Sequence, residues 1–323
     1  MMTASTVPRV EEAAITPRLS GSTARRRVDG VLLLDKPVGV TSNAALQRVK
    51  RLYRAEKAGH TGTLDPLASG LLPICFGEAT KFAHTLLDAE KSYVATIRMG
   101  VTTSTADAEG EVLRERPVEV SRGDVEAVLP RFVGTIAQLP PRHAALKFQG
   151  RNYYEYARAG IDIPRAEREV VVSELALDRW SPPDFTLRVR CGKGTYVRVL
   201  AEDIGEALGC GAHLAALRRT ATGGFALDAA ATLEMLATLP EARRDLRLLA
   251  TDALVIALPR LDLDRGEAAS LRQGQRIACA GLPDGAYRTY AAGVFAGVAH
   301  SHQGSLRPRR LVAAPLIAID RIA

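Results

Sequence analysis

Apolar and polar positions alternate most regularly in two stretches of the chain. In Lys91–Gly100, Tyr93, Ala95, Ile97 and Met99 fall on one face and Val94, Thr96 and Arg98 on the other; in Phe185–Cys191, Phe185, Leu187, Val189 and Cys191 share a face. A period of two predicts a half-buried strand in each. Val31–Leu34 is short and wholly apolar, which predicts a strand buried on both faces, ended by a turn containing Pro37 and Gly39. A helical period follows a cap at Thr41 or Ser42, with Leu46, Val49, Leu52 and Tyr53 as the stripe. Further helices are expected over 79–87, over 122–133, with Tyr153, Tyr156 and Ala157 as a stripe, and with Val199, Ile204 and Leu208 as another. A helical region is expected beyond Arg219, running to about 253. From 256 to 323 short apolar and alternating runs with frequent glycine predict a small β-rich module behind a boundary near 252. Residues 1–28, rich in Ser, Thr, Pro and Arg without periodicity, predict a disordered tail.

The length of 323 residues and hydrophobic content of 47% add the expectation of one large packed domain with a smaller companion. A net charge of +7 and a pI near 9.4 favour a polyanionic partner, without saying what is done to it. Four scattered cysteines form no CxxC pair, and six histidines form no metal-binding spacing, so neither a disulfide framework nor a metal site is expected. No apolar run is long enough to span a membrane, and the one behind Arg25–Arg27 is too short for an export signal, which leaves the cytoplasm as the expected location.

The densest candidate chemistry lies in Gly59–Pro73, a stretch with three glycines, two prolines, one histidine and a single carboxylate, Asp65. It reads as a shaped loop with Leu67, Leu71 and Leu72 on its far side. Asp65 among small and apolar residues is a turn or capping residue, a buried partner of a cation, or a catalyst. The preceding helix carries Arg48, Lys50 and Arg51, either a solvated face or a phosphate grip. In 140–158, tyrosines interleave with Lys147, Arg151 and Arg158, as a base-stacking surface or as core. Gly192–Thr195 (GKGT) lacks the upstream glycine and following hydroxyl of a nucleotide-binding P-loop.

Taken together, several stretches resemble the TruB family of pseudouridine synthases. They are Gly30–Ser42 (GVLLLDKPVGVTS), Gly59–Gly70 (GHTGTLDPLASG), Gly77–Phe82 (GEATKF), the strand of Tyr93 with Asp107 beyond it, Lys193–Arg198 (KGTYVR) and Gly209–His213 (GCGAH). The resemblance covers about residues 29–235 closely. It departs at Ala144, where the family usually has serine. It implies an α+β pseudouridine synthase fold, a central, mostly antiparallel mixed sheet flanked by helices. A catalytic domain is implied over 29–252, an RNA-clamping insertion at about 140–168, and a PUA-like RNA-binding module over 253–323. The implied activity is cofactor-free, metal-free isomerisation of uridine to pseudouridine in the T arm of tRNA, at position 55, with the target base flipped out. The implied actor is a monomer that needs no protein partner. By the resemblance, Asp65 is the catalytic aspartate, Tyr93 the tyrosine against the base and Arg198 the partner of Asp65. His60, Tyr196, Leu217, Lys36 and Asp107 are implied to line the uridine site or lie near the RNA, and Arg48, Arg51, Lys147 and Arg151 to touch the RNA. Whether Tyr93 acts as a base or by stacking stays open, and so do a non-catalytic RNA binder and a guide-RNA-dependent enzyme.

Overall fold

A computed structural model describes residues 24–144 and 146–313. The first half supplies β1 (Gly30–Lys36), α1 (Ser42–Leu52), β2 (Ala58–His60), β3 (Ala68–Phe76) and β4 (Lys91–Met99). Next come α2 (Arg122–Val128), β5 (Gly134–Gln138), α3 (Tyr153–Arg158), β6 (Arg168–Ser181), β7 (Asp184–Cys191) and α4 (Val197–Ala207). A long strand, β8 (Ala212–Thr222), and a short one, β9 (Ala231–Thr232), follow. Eight strands lie side by side in the order β9–β1–β3–β8–β4–β7–β6–β5, with β2 paired to β3 outside that path. Only β9–β1 and β3–β8 are parallel pairs; the others are antiparallel. This is the mixed, mostly antiparallel sheet expected.

The apolar pattern explains the layering. In β7, Phe185, Leu187, Val189 and Cys191 are buried and join Ala95, Ile97 and Met99 of β4 under α2 and α4. In β1 both faces are buried: Leu32 and Leu34 pack with Ala45, Leu46 and Val49 of α1, while Val31 and Leu33 pack with Phe82 and Leu86 on the opposite side. Tyr93 and Leu217 touch the β4/β7 core and the β1/β3 core together, so they mark the seam between the two.

Several expectations need correction. The shaped loop ends early: Ala68–Pro73 belong to β3, and only the residues between His60 and Ala68 form the loop. The helix over 79–87 is a 3₁₀ turn at Gly77–Lys81 followed by one α-turn at His84–Leu87. Helix 122–133 stops at Val128 and continues as 3₁₀ through Leu129–Phe132, where Pro130 denies the ladder an N–H. Leu208 caps α4 and is half-buried. The helical region to 253 holds two short helices, Leu233–Thr238 and Glu241–Asp245, among short strands. Most of the expected tail lies outside the described residues. Arg26, though, bridges to Ala55 and pairs with Asp245 at 2.5 Å, so the part of that stretch among the described residues is held in place.

The β-rich C-terminal module is a five-stranded sheet. Its strands are β10 (Arg260–Leu263), β11 (Ile277–Ala278), β12 (Gly285–Ala291), β13 (Val294–His302) and β14 (Ser305–Leu311), in the order β10–β12–β13–β14–β11. Helix α5 (Arg265–Arg272), closed by an Asp264–Glu267 capping box, packs Ala268 and Leu271 against it. Phe295 and Val298 of β13 join Phe82 and Leu86, so this module shares a core with the back of the main sheet.

Candidate active site

The Asp65 loop is tied down at several points. Ser42 Oγ donates to the Leu64 carbonyl at 2.9 Å and accepts from the Leu64 N–H at 2.8 Å, so Thr41 caps α1 and Ser42 clamps the loop instead. The Gly39 N–H donates to the Pro66 carbonyl at 2.8 Å, and the Ala68 N–H to the Asp65 carbonyl at 3.1 Å. Lys36 is fully buried and donates from Nζ to the carbonyls of Pro37 and Val40, bracing the turn that holds Pro66. Burial lowers its ammonium to about 8, with Asp65 opposing that shift. Lys36 is therefore a structural brace of the loop with no exposed surface.

Arg198, in the first turn of α4, comes up against this loop. Its Nε lies 3.0 Å from Asp65 Oδ2 and its Nη1 3.4 Å from Asp107 Oδ2, with the guanidinium side chain only 7% accessible. The Thr105 and His143 carbonyls accept its remaining N–H groups at 3.4 and 3.5 Å. Asp107 is held in turn by Thr105 Oγ1 at 2.5 Å and the Glu109 N–H at 3.1 Å. It is 2% exposed and braces Arg198 from the buried side. Asp65 keeps 42% of its side chain accessible on the open side. On its other sides protein crowds it, and burial pushes its carboxyl above the usual 3.8 while Arg198 pulls the other way.

Tyr93 stands on β4 opposite Arg219 of β8, and Leu217 stands opposite Ala95. Burial raises the Tyr93 phenol. Tyr196 caps α4, its backbone clamped by Gln138, which accepts from the Tyr196 N–H at 2.8 Å and donates to its carbonyl at 3.1 Å. His60, on β2, is half-buried; its Nδ1 has no partner, and burial lowers its pKa. Arg48 and Arg51 are exposed on α1, and Lys147 is exposed in the 140–158 segment. Arg151 is exposed too but lies over the Tyr156 ring at 5.0 Å and 3.6 Å from Glu155. Tyr156 packs edge-on against Phe148 and is core, the bland reading for one of the three tyrosines.

The pattern of residues overlooked three members of the site. Ser42 was a candidate cap, His143 lay in the turn-rich basic segment from 140, and Arg219 was the second of two arginines ending the stretch from Gly209. The signal for Arg219 was recoverable only with β8 known to be a strand.

Comparison with known proteins then gives this constellation a family. Residues 50–197 match the N-terminal domain of the TruB family of pseudouridylate synthases, 198–261 the C-terminal domain of tRNA pseudouridylate synthase B, and 259–312 the C-terminal region described as pseudouridine synthase II TruB. Over 291 residues the chain is 57% identical to the tRNA pseudouridine synthase B of Thiobacillus denitrificans, covering 90% of this chain and 98% of that one. The chain belongs to the TruB family of pseudouridine synthases. The tRNA pseudouridine synthase B of an Azoarcus species is 55% identical over 289 residues, covering 90% of this chain and 96% of that one. Among solved structures, a chain of a Cbf5–Nop10–Gar1 complex superposes with a TM-score of 0.66 at 26% identity, covering 88% of this chain and 84% of that one. Among the described residues no group of His, Cys, Asp and Glu could hold a metal ion, and no helix is long and apolar enough to cross a membrane.

Proposed function

We propose that the protein isomerises uridine to pseudouridine in the T arm of tRNA, at position 55, acting alone on the RNA. The observation that carries this reading is the buried Arg198 guanidinium held between Asp65 and Asp107, with Asp65 the accessible one of the two carboxylates. The reaction breaks the N1–C1′ bond, turns the uracil and joins C5 to C1′; C5 gives up its proton to solvent and N1 takes one up. A carboxylate facing the sugar serves this step as nucleophile or as counter-charge to C1′. Either role needs it ionised and largely shielded from water. Arg198 supplies the first condition, and a flipped uridine seated over the open side of Asp65 supplies the second.

Tyr93 and Leu217 form the apolar floor on which a flipped uracil rests, with Tyr196 and His60 at its margin. Removing the base from its stack costs about a few kcal/mol. Phosphate contacts from Arg48, Arg51 and Lys147 offset that cost, and so do contacts from Arg307, Arg309 and Arg310 on β14, if the C-terminal module is the PUA-like RNA arm the resemblance implies. With a T-arm hairpin carrying 5-tritiated uridine, the purified protein alone is expected to release tritium, and Asp65→Asn to bind the hairpin without releasing any. Normal turnover by that variant would remove Asp65 from the chemistry.

A further inference from the structure

Arg219 is the largest fully buried side chain, 1% accessible, and no ion pair holds it among the described residues. Its neighbour Arg218 is the ordinary case, exposed and 2.7 Å from Asp35. Arg219 Nε donates to the Leu71 carbonyl at 2.6 Å, while Nη2 is buried without a partner. A guanidinium sealed from water with no counter-charge is costly, and stability alone gives no reason to keep one. Its surroundings are those of the site. It stands opposite Tyr93 across β4–β8 and opposite Gly70 across β3–β8. The Asp65 loop passes over it at Gly62, where an added Cβ would lie 3.7 Å from Nη1. Arg219 and Tyr93 are therefore cross-strand neighbours, although no hydrogen bond joins the guanidinium to the Tyr93 hydroxyl. Such contacts often tighten only when substrate is bound.

We propose that Arg219 is a positioning residue for the isomerisation, donating to the Tyr93 hydroxyl so that the phenol's own hydrogen and the ring face the target uridine. This rests on the reading of Tyr93 as the residue against the uracil. An acceptor bond from Arg219 fixes the phenol's rotation and favours any negative charge it takes on during proton movement. The guanidinium itself meets no part of the substrate.

The test is a double-mutant cycle in single-turnover tritium release, using Arg219→Met, Tyr93→Phe and the pair, with Arg219→Lys as a milder variant. Arg219→Met is expected to slow the step about 10- to 100-fold, the range for losing a charged hydrogen bond. Hairpin affinity should hold, and the melting temperature should stay level or rise because an uncompensated buried charge is gone. Arg219→Lys should recover part of the rate. In the Tyr93→Phe background, Arg219→Met should cost little more. Equal losses in both backgrounds, or a melting temperature that falls in step with the rate, would make Arg219 a structural residue and overturn the proposal. A Tyr93→Phe enzyme at full rate would instead sink the reading of the Tyr93 hydroxyl itself, and this proposal with it.

Discussion

Arg198 is the residue through which the site's charges are coupled. It lies between a carboxylate that is open and one that is sealed, so only Asp65 is free to meet a substrate. The acid limb of the single-turnover pH profile should therefore lie above the usual aspartate value of 3.8, because burial raises Asp65. Arg198→Met removes the opposing charge. It should move that limb further up and cost about 100-fold or more in rate at neutral pH, as read from rate against pH at saturating RNA. The same shift has a stability consequence. Asp65 has its folded pKa raised above its unfolded value, so the folded state binds more protons between the two. Stability from this group is thus present below 3.8 and lost as pH rises through the folded value. At neutral pH, Asp65→Asn should leave the melting temperature unchanged or higher while it abolishes turnover. A clear fall in melting temperature would mean that the carboxylate stabilises the fold.

Strand β8 is the element that the pattern of residues hid. It pairs with β4 on one side and β3 on the other, yet its register shifts between Leu214 and Ala216 and again between Arg219 and Ala221. Each irregularity breaks the period of two by which a strand is read. Its run of Leu and Ala (Leu214–Leu217) suits a helix as well as a strand. β4 and β7, with unbroken pairing to each other, alternated cleanly and were legible. Asp65, Tyr93 and Arg198 were singled out because their motifs resemble a family's. Ser42 and Arg219 act through contacts 22 and 148 positions away, which no local pattern carries. Two changes probe these elements. Ser42→Ala removes both bonds to Leu64 and should cost about 1–3 kcal/mol in denaturant unfolding, with a larger loss in rate than in hairpin affinity. Gly70 has φ of +98° and faces the Arg219 backbone so closely that any Cβ would overlap it. Gly70→Ala should therefore cost about 3 kcal/mol or more, seen as a lowered melting temperature.

At the scale of the whole molecule, the C-terminal sheet is joined to the catalytic sheet by a shared core and by polar ties. Lys81 Nζ donates to the Leu311 carbonyl at 2.9 Å, and Phe82 stacks near Phe295 with ring centroids 5.5 Å apart. Composition spoke at this scale alone: the excess of basic residues pointed to a polyanion, and their exposure on α1, the 140–158 segment and β14 is consistent with that. If β14 grips RNA phosphates, changing Arg307, Arg309 and Arg310 to Gln should flatten the plot of log affinity against log salt by about 0.7–0.9 per lost contact. The rate at saturating tRNA should not change. An unaltered slope would place the module off the RNA. The central claim is that this protein makes pseudouridine at one tRNA position through Asp65. It is tested most directly by mapping pseudouridine along tRNA from cells lacking the protein and supplied with either the natural chain or Asp65→Asn. The account predicts unmodified uridine at position 55 in the deletion and with Asp65→Asn, and pseudouridine only with the natural chain. Pseudouridine at position 55 without the protein, or restored by Asp65→Asn, would contradict it.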